Sequence, residues 1–147
     1  MPSRPDRQER PGERVYVALG SNLGDRAAHL RAAREALGAL PGTRLVAVSS
    51  EEETAPLGGL DQPPYLNQMA LLETTLAPRE LLRALQSIEQ REGRTRHEHW
   101  GSRTLDLDIV RFGTRRVDET DLIIPHPELP NRDFWRRELA ELSAHDR

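Results

Sequence analysis

The chain has 147 residues and a formal net charge of −3, with 36% hydrophobic and 31% charged residues, a size and balance typical of one globular domain. It contains no apolar run of the ~18 residues that a membrane span needs and no cysteine, which excludes transmembrane helices, disulfides, iron–sulfur clusters and cysteine-ligated zinc. All 21 basic residues are arginine, which excludes P-loop enzymes and protein kinases that depend on a lysine.

Apolar spacing, interrupted by proline and glycine, divides the chain into six main elements. In chain order these are a strand over 15–19, a helix over about 26–40, strands over 44–50 and 65–74, a helix from 78 to about 90, and a strand over 104–112. A turn is expected over 20–25, and Asp25 at its end is placed to cap the first helix. Loops are expected over 54–64 and 93–103, and a short strand over 121–124 precedes a last helix over 133–143.

The order strand–helix–strand–strand–helix–strand predicts the α+β class with a ferredoxin-like, split βαβ architecture. We expect a largely antiparallel sheet with the helices packed on one of its faces. Residues 1–13 are charged and proline-containing, so we expect a disordered tail there and a single domain over 14–147. The tail lacks the apolar stretch of a secretory signal, and a cytoplasmic location is therefore expected.

The sharpest chemical feature is the run RTLDLDI that ends at Ile109. Side chains of a strand alternate between faces, so Leu105, Leu107 and Ile109 are expected in the core, with Asp106 and Asp108 together on the other face. Neighbouring carboxylates repel unless a cation lies between them, and such hard oxygen ligands suit Mg²⁺, which completes its shell with substrate phosphates. The alternative is a solvated acidic strand face.

Basic residues precede this pair. Arg94, Arg96 and Arg103 could neutralise a polyphosphate near a carboxylate–metal centre. The alternative is a solvated loop in which these arginines pair with Glu92 and Glu98. The overall mild acidity gives no indication of nucleic-acid binding.

Three further placements indicate a small-molecule site. Tyr65 and Asn67 share a strand face, where a ring could stack on a flat heterocycle while an amide reads its edge. Gln86 and Glu89 share a helix face, and His126 stands rigidly between two prolines. Each has a structural alternative: core packing for the tyrosine, a strand cap for the asparagine, an exposed polar pair on the helix, and a surface turn.

Together these motifs resemble the 6-hydroxymethyl-7,8-dihydropterin pyrophosphokinase family of folate biosynthesis. The matching segments are VYVALGSNLGDR (15–26), TAPLGGLDQPPYLNQMALLET (54–74), LLRALQSIEQREGR (81–94), WGSRTLDLDI (100–109) and IPHPELPNRDF (124–134). The W-G-x-R-x-x-D-L-D-I run followed by P-H-P is the most specific. The resemblance implies an enzyme that transfers pyrophosphate from ATP to the pterin hydroxymethyl group and releases AMP, with two Mg²⁺ ions bridging the ATP phosphates.

The resemblance also implies a role for individual residues. Asp106 and Asp108 would bind the metal ions. The catalytic set would combine these two with Arg94, Arg96 and Arg103. The pterin side would comprise Thr54, Pro56, Leu57, Tyr65, Asn67, Trp100 and Phe134. The ATP side would comprise Gln86, Glu89, Arg96, Arg103, Ile109, Ile123, His126 and Arg132.

We expect a monomer whose ligands are ATP and the pterin, with neither nucleic acid nor a membrane as a partner. Two departures from the family pattern leave an alternative open. His99 stands where an arginine is usual, and the loop between Arg94 and Trp100 is one residue shorter than the common form. The alternative is a non-catalytic pterin- or nucleotide-binding module of the same fold.

Overall fold

A computed structural model describes residues 12–55, 63–93 and 104–146. Its main sheet is built from β1 (Glu13–Ser21), β2 (Thr43–Val48), β3 (Glu52–Thr54), β4 (Tyr65–Thr74) and β5 (Asp106–Phe112). The strand order is β2-β4-β1-β5, every pairing is antiparallel, and β3 pairs with the first part of β4. Strands β1 and β2 therefore run parallel with β4 between them, as a split βαβ unit requires. The predicted α+β class is confirmed.

Three helices and a hairpin complete the described chain. The helices are α1 (Arg26–Gly38), α2 (Pro78–Arg91) and α3 (Asp133–Leu142), and the hairpin pairs β6 (Val117–Glu119) with β7 (Leu122–Ile124). Asp25 caps α1 as expected, because its side chain accepts a hydrogen bond of 3.1 Å from the Ala28 amide. None of the helices in the described ranges has the length and apolarity that crossing a membrane requires.

The two faces of the main sheet carry separate apolar clusters. The first lies under α1 and α2 and includes Val15, Val17, Leu19, Leu30, Leu37, Leu81, Leu85 and Leu107. The second lies under α3 and includes Tyr16, Ala18, Met69, Leu71, Val110, Trp135, Leu139 and Leu142. The expectation that all helices pack on one face is wrong for α3, because its buried stripe of Trp135, Leu139 and Leu142 covers the opposite side of the sheet.

Several boundaries differ from the predicted ones. β1 begins at Glu13 and continues to Ser21, because Gly20 and Ser21 still pair with β4 in a segment predicted to be a turn. β3 and β6 were not predicted, since three residues are too few to show a period. β4 has the predicted bounds, and β5 starts two residues later than expected, at Asp106.

Candidate active site

The sheet register aligns polar side chains at one end of the face that α3 covers. Gly20 of β1 lies between Asn67 of β4 and Asp106 of β5, and Ala18 lies between Met69 and Asp108. The two aspartates and the asparagine therefore share a sheet face, separated by a strand with very small side chains.

Gly20 makes this arrangement possible. A Cβ atom at this position would lie 3.3 Å from Asn67 Oδ1 and 3.6 Å from Tyr65 Cδ1. The asparagine amide and the tyrosine ring thus reach over β1 where a larger residue would crowd them. Sequence reasoning placed Gly20 in a turn, although its two-residue spacing from Ala18 puts it on the site face once β1 is extended.

The acidic pair is oriented as predicted. Leu105, Leu107 and Ile109 are buried in the core, whereas Asp106 and Asp108 are partly exposed on the opposite face. The Asp108 side chain is 41% exposed, and its Oδ1 atom lies 3.8 Å from His126 Nε2. The residues with described structure contain no cluster of three or more acidic or histidine side chains that could hold a metal ion.

Glu89 supports this strand from the opposite face. It is buried, and its Oε2 atom accepts a 2.7 Å hydrogen bond from the Leu107 amide, between the two aspartates in sequence. Glu89 thus ties α2 to the backbone of β5. Gln86, one helical turn earlier, is exposed to solvent.

His126 is held as a hydrogen-bond donor toward the acidic pair. The Glu128 amide donates to His126 Nδ1 at 3.0 Å, so the neutral ring carries its proton on Nε2, the atom that faces Asp108. Burial lowers the pKa of His126 and the Arg132 guanidinium lowers it further, although Asp108 and Glu128 oppose the shift. The imidazole is therefore neutral at pH 7.

Trp135 links His126 to Arg132. The His126 ring packs edge-on against Trp135 with centroids 4.9 Å apart, and Arg132 Cζ lies 4.4 Å from the centre of the same ring. The Arg132 Nε atom is buried with no hydrogen-bond partner in the described part of the chain. Trp135 was not predicted as a site residue, and its place one residue after Phe134 gave no signal of this role.

Three of the residues predicted to bind a pterin, Thr54, Tyr65 and Asn67, meet at β3 and β4. Asn67 Nδ2 donates a 2.6 Å hydrogen bond to Thr54 Oγ1, which turns Asn67 Oδ1 toward the space above Gly20. Tyr65 lies on the same face of β4 and is half-buried. Phe134 is half-buried at the start of α3 and packs against the cluster beneath that helix.

A cavity of about 250 Å³ opens beside the acidic pair. Its lining includes Leu82, Asp108, Ile109, Ile123 and His126. Among the described residues Ile123 is the one large hydrophobic side chain that is exposed. Three residues predicted for the ATP side are thus brought together from two segments, Ile109 of β5 and the pair Ile123 and His126.

Arg79 fixes the hairpin that carries Ile123. Its guanidinium donates to Asp121 at 3.1 Å and also pairs with Glu119, so α2 is joined to the end of β6 and to the turn before β7. Nothing in the sequence singled out Arg79, because its partners are about 40 residues away along the chain.

Residues 16–144 match the protein family described as 7,8-dihydro-6-hydroxymethylpterin-pyrophosphokinase. The chain belongs to this family. It is similar to a protein of Pseudomonas aeruginosa named 2-amino-4-hydroxy-6-hydroxymethyldihydropteridine pyrophosphokinase, with 50% identity over 131 residues that cover 89% of this chain and 81% of the relative. A protein of the same name from Haemophilus influenzae is 45% identical, over 88% of this chain and 81% of its own length. Another from Bacillus subtilis is 44% identical, over 87% of this chain and 77% of its own length.

Membership of the pyrophosphokinase family confirms the resemblance inferred from the motifs. Six of the predicted site residues lie outside the described ranges, and their roles stay predictions: Pro56, Leu57, Arg94, Arg96, Trp100 and Arg103. The same holds for nearly all of the predicted 1–13 tail, of which only Gly12 and Glu13 are described.

Proposed function

We propose that this chain transfers pyrophosphate from ATP to the hydroxymethyl oxygen of 6-hydroxymethyl-7,8-dihydropterin and releases AMP, as a step of folate biosynthesis. Membership of the family supports the reaction. The observation that carries the assignment to this site is the shared sheet face of Asp106, Asp108 and Asn67. It puts an anionic pair and a hydrogen-bonding amide one strand apart, where a nucleotide and a heterocycle could meet.

The acidic pair is proposed to hold two Mg²⁺ ions together with the ATP phosphates. Carboxylate oxygens are suitable ligands, and both side chains are partly exposed on one face of β5. When bound, the ions would offset the charge of the triphosphate and lower the pKa of the pterin hydroxyl group. His126 Nε2–H and Arg132 flank the same place and could donate to phosphate oxygens.

The pterin is proposed to lie over Gly20. Asn67 Oδ1 is directed there by Thr54 and would accept a hydrogen bond from a pterin N–H group. Tyr65 and Phe134 would stack on the ring, an interaction typically worth about 1–3 kcal/mol for a base on an aromatic side chain. Pro56, Leu57 and Trp100 are assigned to this side on the resemblance alone.

The nucleotide is proposed to occupy the cavity beside β5. Leu82, Ile109 and Ile123 offer an apolar lining for an adenine or ribose, and Asp108 and His126 stand at the end where phosphates would follow. Arg94, Arg96 and Arg103 are assigned to those phosphates on the resemblance, as are Gln86 and Glu89 to the ATP side. Holding both substrates in line supplies most of the acceleration in phosphoryl-type transfer. We further propose that the protein acts as a cytoplasmic monomer.

Measuring AMP release tests the function directly. Purified protein is incubated with ATP, with and without the pterin, across a magnesium titration that includes a chelator control. AMP formation that requires both pterin and magnesium is expected. Consumption of ATP without pterin would instead indicate a general phosphohydrolase, and tight pterin binding by calorimetry without AMP would indicate a non-catalytic binding module.

A further inference from the structure

Arg26 is a half-buried cation at the start of α1 that the proposed chemistry does not use. A positive charge at the N-terminus of a helix is unfavourable, because the helix dipole is positive there. The cap of this helix comes from another residue, Asp25, whose side chain binds the Ala28 amide. The electrostatics of α1 therefore do not explain an arginine at its first position, and its contacts with other elements must do so.

Arg26 joins β3 to the start of β4. Its Nη2 atom donates to Glu53 Oε2 at 2.5 Å, and its Nη1 atom donates to the Pro64 carbonyl oxygen at 2.9 Å. Glu53 belongs to β3, whereas Pro64 is the residue before β4. Both donors belong to one planar guanidinium, whose rigid shape fixes how far apart its two partners lie.

Each residue bound in this way is followed in the chain by a pterin-side residue. Thr54 comes directly after Glu53. Tyr65 comes directly after Pro64, and it is the cross-strand partner of Thr54. Thr54 Oγ1 also accepts the 2.6 Å hydrogen bond from Asn67 Nδ2. Holding the two preceding residues together therefore keeps the strand register on which the orientation of the Asn67 amide depends.

Arg26 reaches β3 from the side of the sheet opposite the site. Side chains alternate along a strand, so Glu53 points away from the face that carries Thr54. The cross-strand partner of Glu53 is Leu66, which packs against the cluster under α1 and α2. Any effect of Arg26 on a ligand over Asn67 is therefore transmitted through the backbones of β3 and β4.

A second arginine of α1 makes a similar link at the other end of β3. Arg34 Nη1 donates to Gln68 Oε1 of β4 at 2.8 Å and to Glu51, the residue before β3, at 3.2 Å. Gln68 is buried, and its Nε2 atom donates to the Ser49 carbonyl oxygen at 2.6 Å. β3 has three residues, and a strand this short depends on such contacts for its position. α1 thus fastens both ends of β3 to β4.

We propose that Arg26 is a positioning residue for pterin recognition, because it holds β3 and β4 in the register in which Thr54 orients Asn67. The role rests on the proposed function, since it assumes that Asn67 reads the pterin. An exposed ion pair contributes little to the free energy of unfolding. Loss of Arg26 should therefore lower pterin affinity and leave the fold intact. The nucleotide side, built on β5 and the hairpin, is unaffected.

Calorimetry of pterin binding, with magnesium and a non-hydrolysable ATP analogue present, tests this role. Arg26→Gln removes both links and is expected to weaken pterin binding about threefold to tenfold, equivalent to the net contribution of one hydrogen bond. Arg26→Lys should recover part of this loss, because an ammonium group keeps a charged donor for Glu53. The double variant Arg26→Gln/Glu53→Gln should bind no more weakly than Arg26→Gln, because the two groups act as one unit.

Arg44→Gln is the matched control. Arg44 of β2 pairs with Glu73 of β4 at the same distance of 2.5 Å, but at the opposite end of β4. Its removal should leave pterin binding at the wild-type value. Pterin binding by Arg26→Gln that equals that of the wild type would overturn the proposal, as would an equal loss in Arg44→Gln.

Kinetics and thermal melts separate positioning from a general structural role. In Arg26→Gln we expect the pterin KM to rise, with the ATP KM, kcat and melting temperature close to those of the wild type. The melting temperature should be preserved because the lost ion pair is partly offset by removal of an unfavourable charge from the helix N-terminus. An equal rise in the KM for ATP would overturn the proposal.

A measurement on the free protein keeps this role distinguishable from the reaction. Nitrogen NMR of the Asn67 side-chain amide follows its hydrogen bond to Thr54 without any ligand. We expect slow exchange of this amide with solvent in the wild type and in Arg44→Gln, and faster exchange in Arg26→Gln. Equal exchange in all three would overturn the proposal even if the chain bound no pterin. Absence of AMP release from the wild type would contradict the proposed function alone.

Discussion

The two faces of the sheet show how one set of strands serves both as a core and as a site. Under α1 and α2 most strand residues are apolar, as in Val17, Leu19 and Leu107, although Gln68 is buried there and accepts a hydrogen bond from Arg34 of α1. The face under α3 is apolar only where that helix covers it, and it becomes polar at Asn67 and Asp106. The difference indicates that the site lies where the second apolar layer stops. Substitutions on the polar part of that face should therefore lower the catalytic activity with little change in the free energy of unfolding.

The strongest test of this comparison removes the acidic pair. Asp106→Asn or Asp108→Asn is expected to reduce turnover by at least about 10²-fold, since each variant loses a charge placed to act in the transition state. The free energy of unfolding should change little, because both side chains are partly exposed. AMP release and a thermal melt measure the two effects, and Asp118→Asn, in the exposed hairpin, is the matched control. Turnover close to that of the wild type would contradict the assignment of Asp106 and Asp108 as metal ligands.

Strand alternation is why so much of this division could be predicted. The sequence of β5 places Leu107 and Asp108 on opposite faces with no knowledge of the fold, and the structure agrees. A last helix over 133–143 was also predicted, but a predicted helix does not show which side of a sheet it will cover. That choice follows from the long-range register of the strands. Because α3 covers this side of the sheet, Trp135 lies between His126 and Arg132.

Polar residues that become buried were the least predictable. Glu138 and Glu141 are both acids on the last helix, yet one is buried and the other is exposed. Glu138 lies on the buried stripe of α3 with Trp135 and Leu142, whereas Glu141 lies off that stripe, and a sequence does not show that a charged residue will be buried there. Gly20 was not predicted as a site residue for a related reason. Its role depends on the absence of a Cβ atom that would contact Asn67 and Tyr65 on the neighbouring strand.

The pH dependence of stability tests the buried acid on the site face. In the folded protein the pKa of Glu138 is about 9, against an ordinary value of 4.5, so between these pH values the unfolded chain releases a proton that the folded chain keeps. The free energy of unfolding of the wild type therefore falls as pH rises through this window. Glu138→Gln lacks this loss, and its stability relative to the wild type should increase by about 2–3 kcal/mol between pH 5.5 and 7.5.

Urea unfolding at the two pH values measures this difference. Glu141→Gln is the control, because Glu141 is exposed on the same helix and binds Ser50. A stability difference between Glu138→Gln and the wild type that does not vary with pH would show that the buried acid keeps an ordinary pKa.

The smallest expected effect comes from adding one methyl group to the site floor. In Gly20→Ala the new Cβ would lie 3.3 Å from Asn67 Oδ1, so the asparagine amide must give way by a few tenths of an ångström, whereas its 3.6 Å distance to Tyr65 Cδ1 is an ordinary contact. The pterin KM should rise about tenfold, equivalent to about 1.4 kcal/mol, while the ATP KM and the fold are preserved. Gly38→Ala is the matched control, since its Cβ would meet Leu45 at an ordinary 3.6 Å on the other face. An equal rise in the KM for both substrates would mean that Gly20 supports the whole site, so that the pterin and nucleotide sides could not be assigned to separate strands.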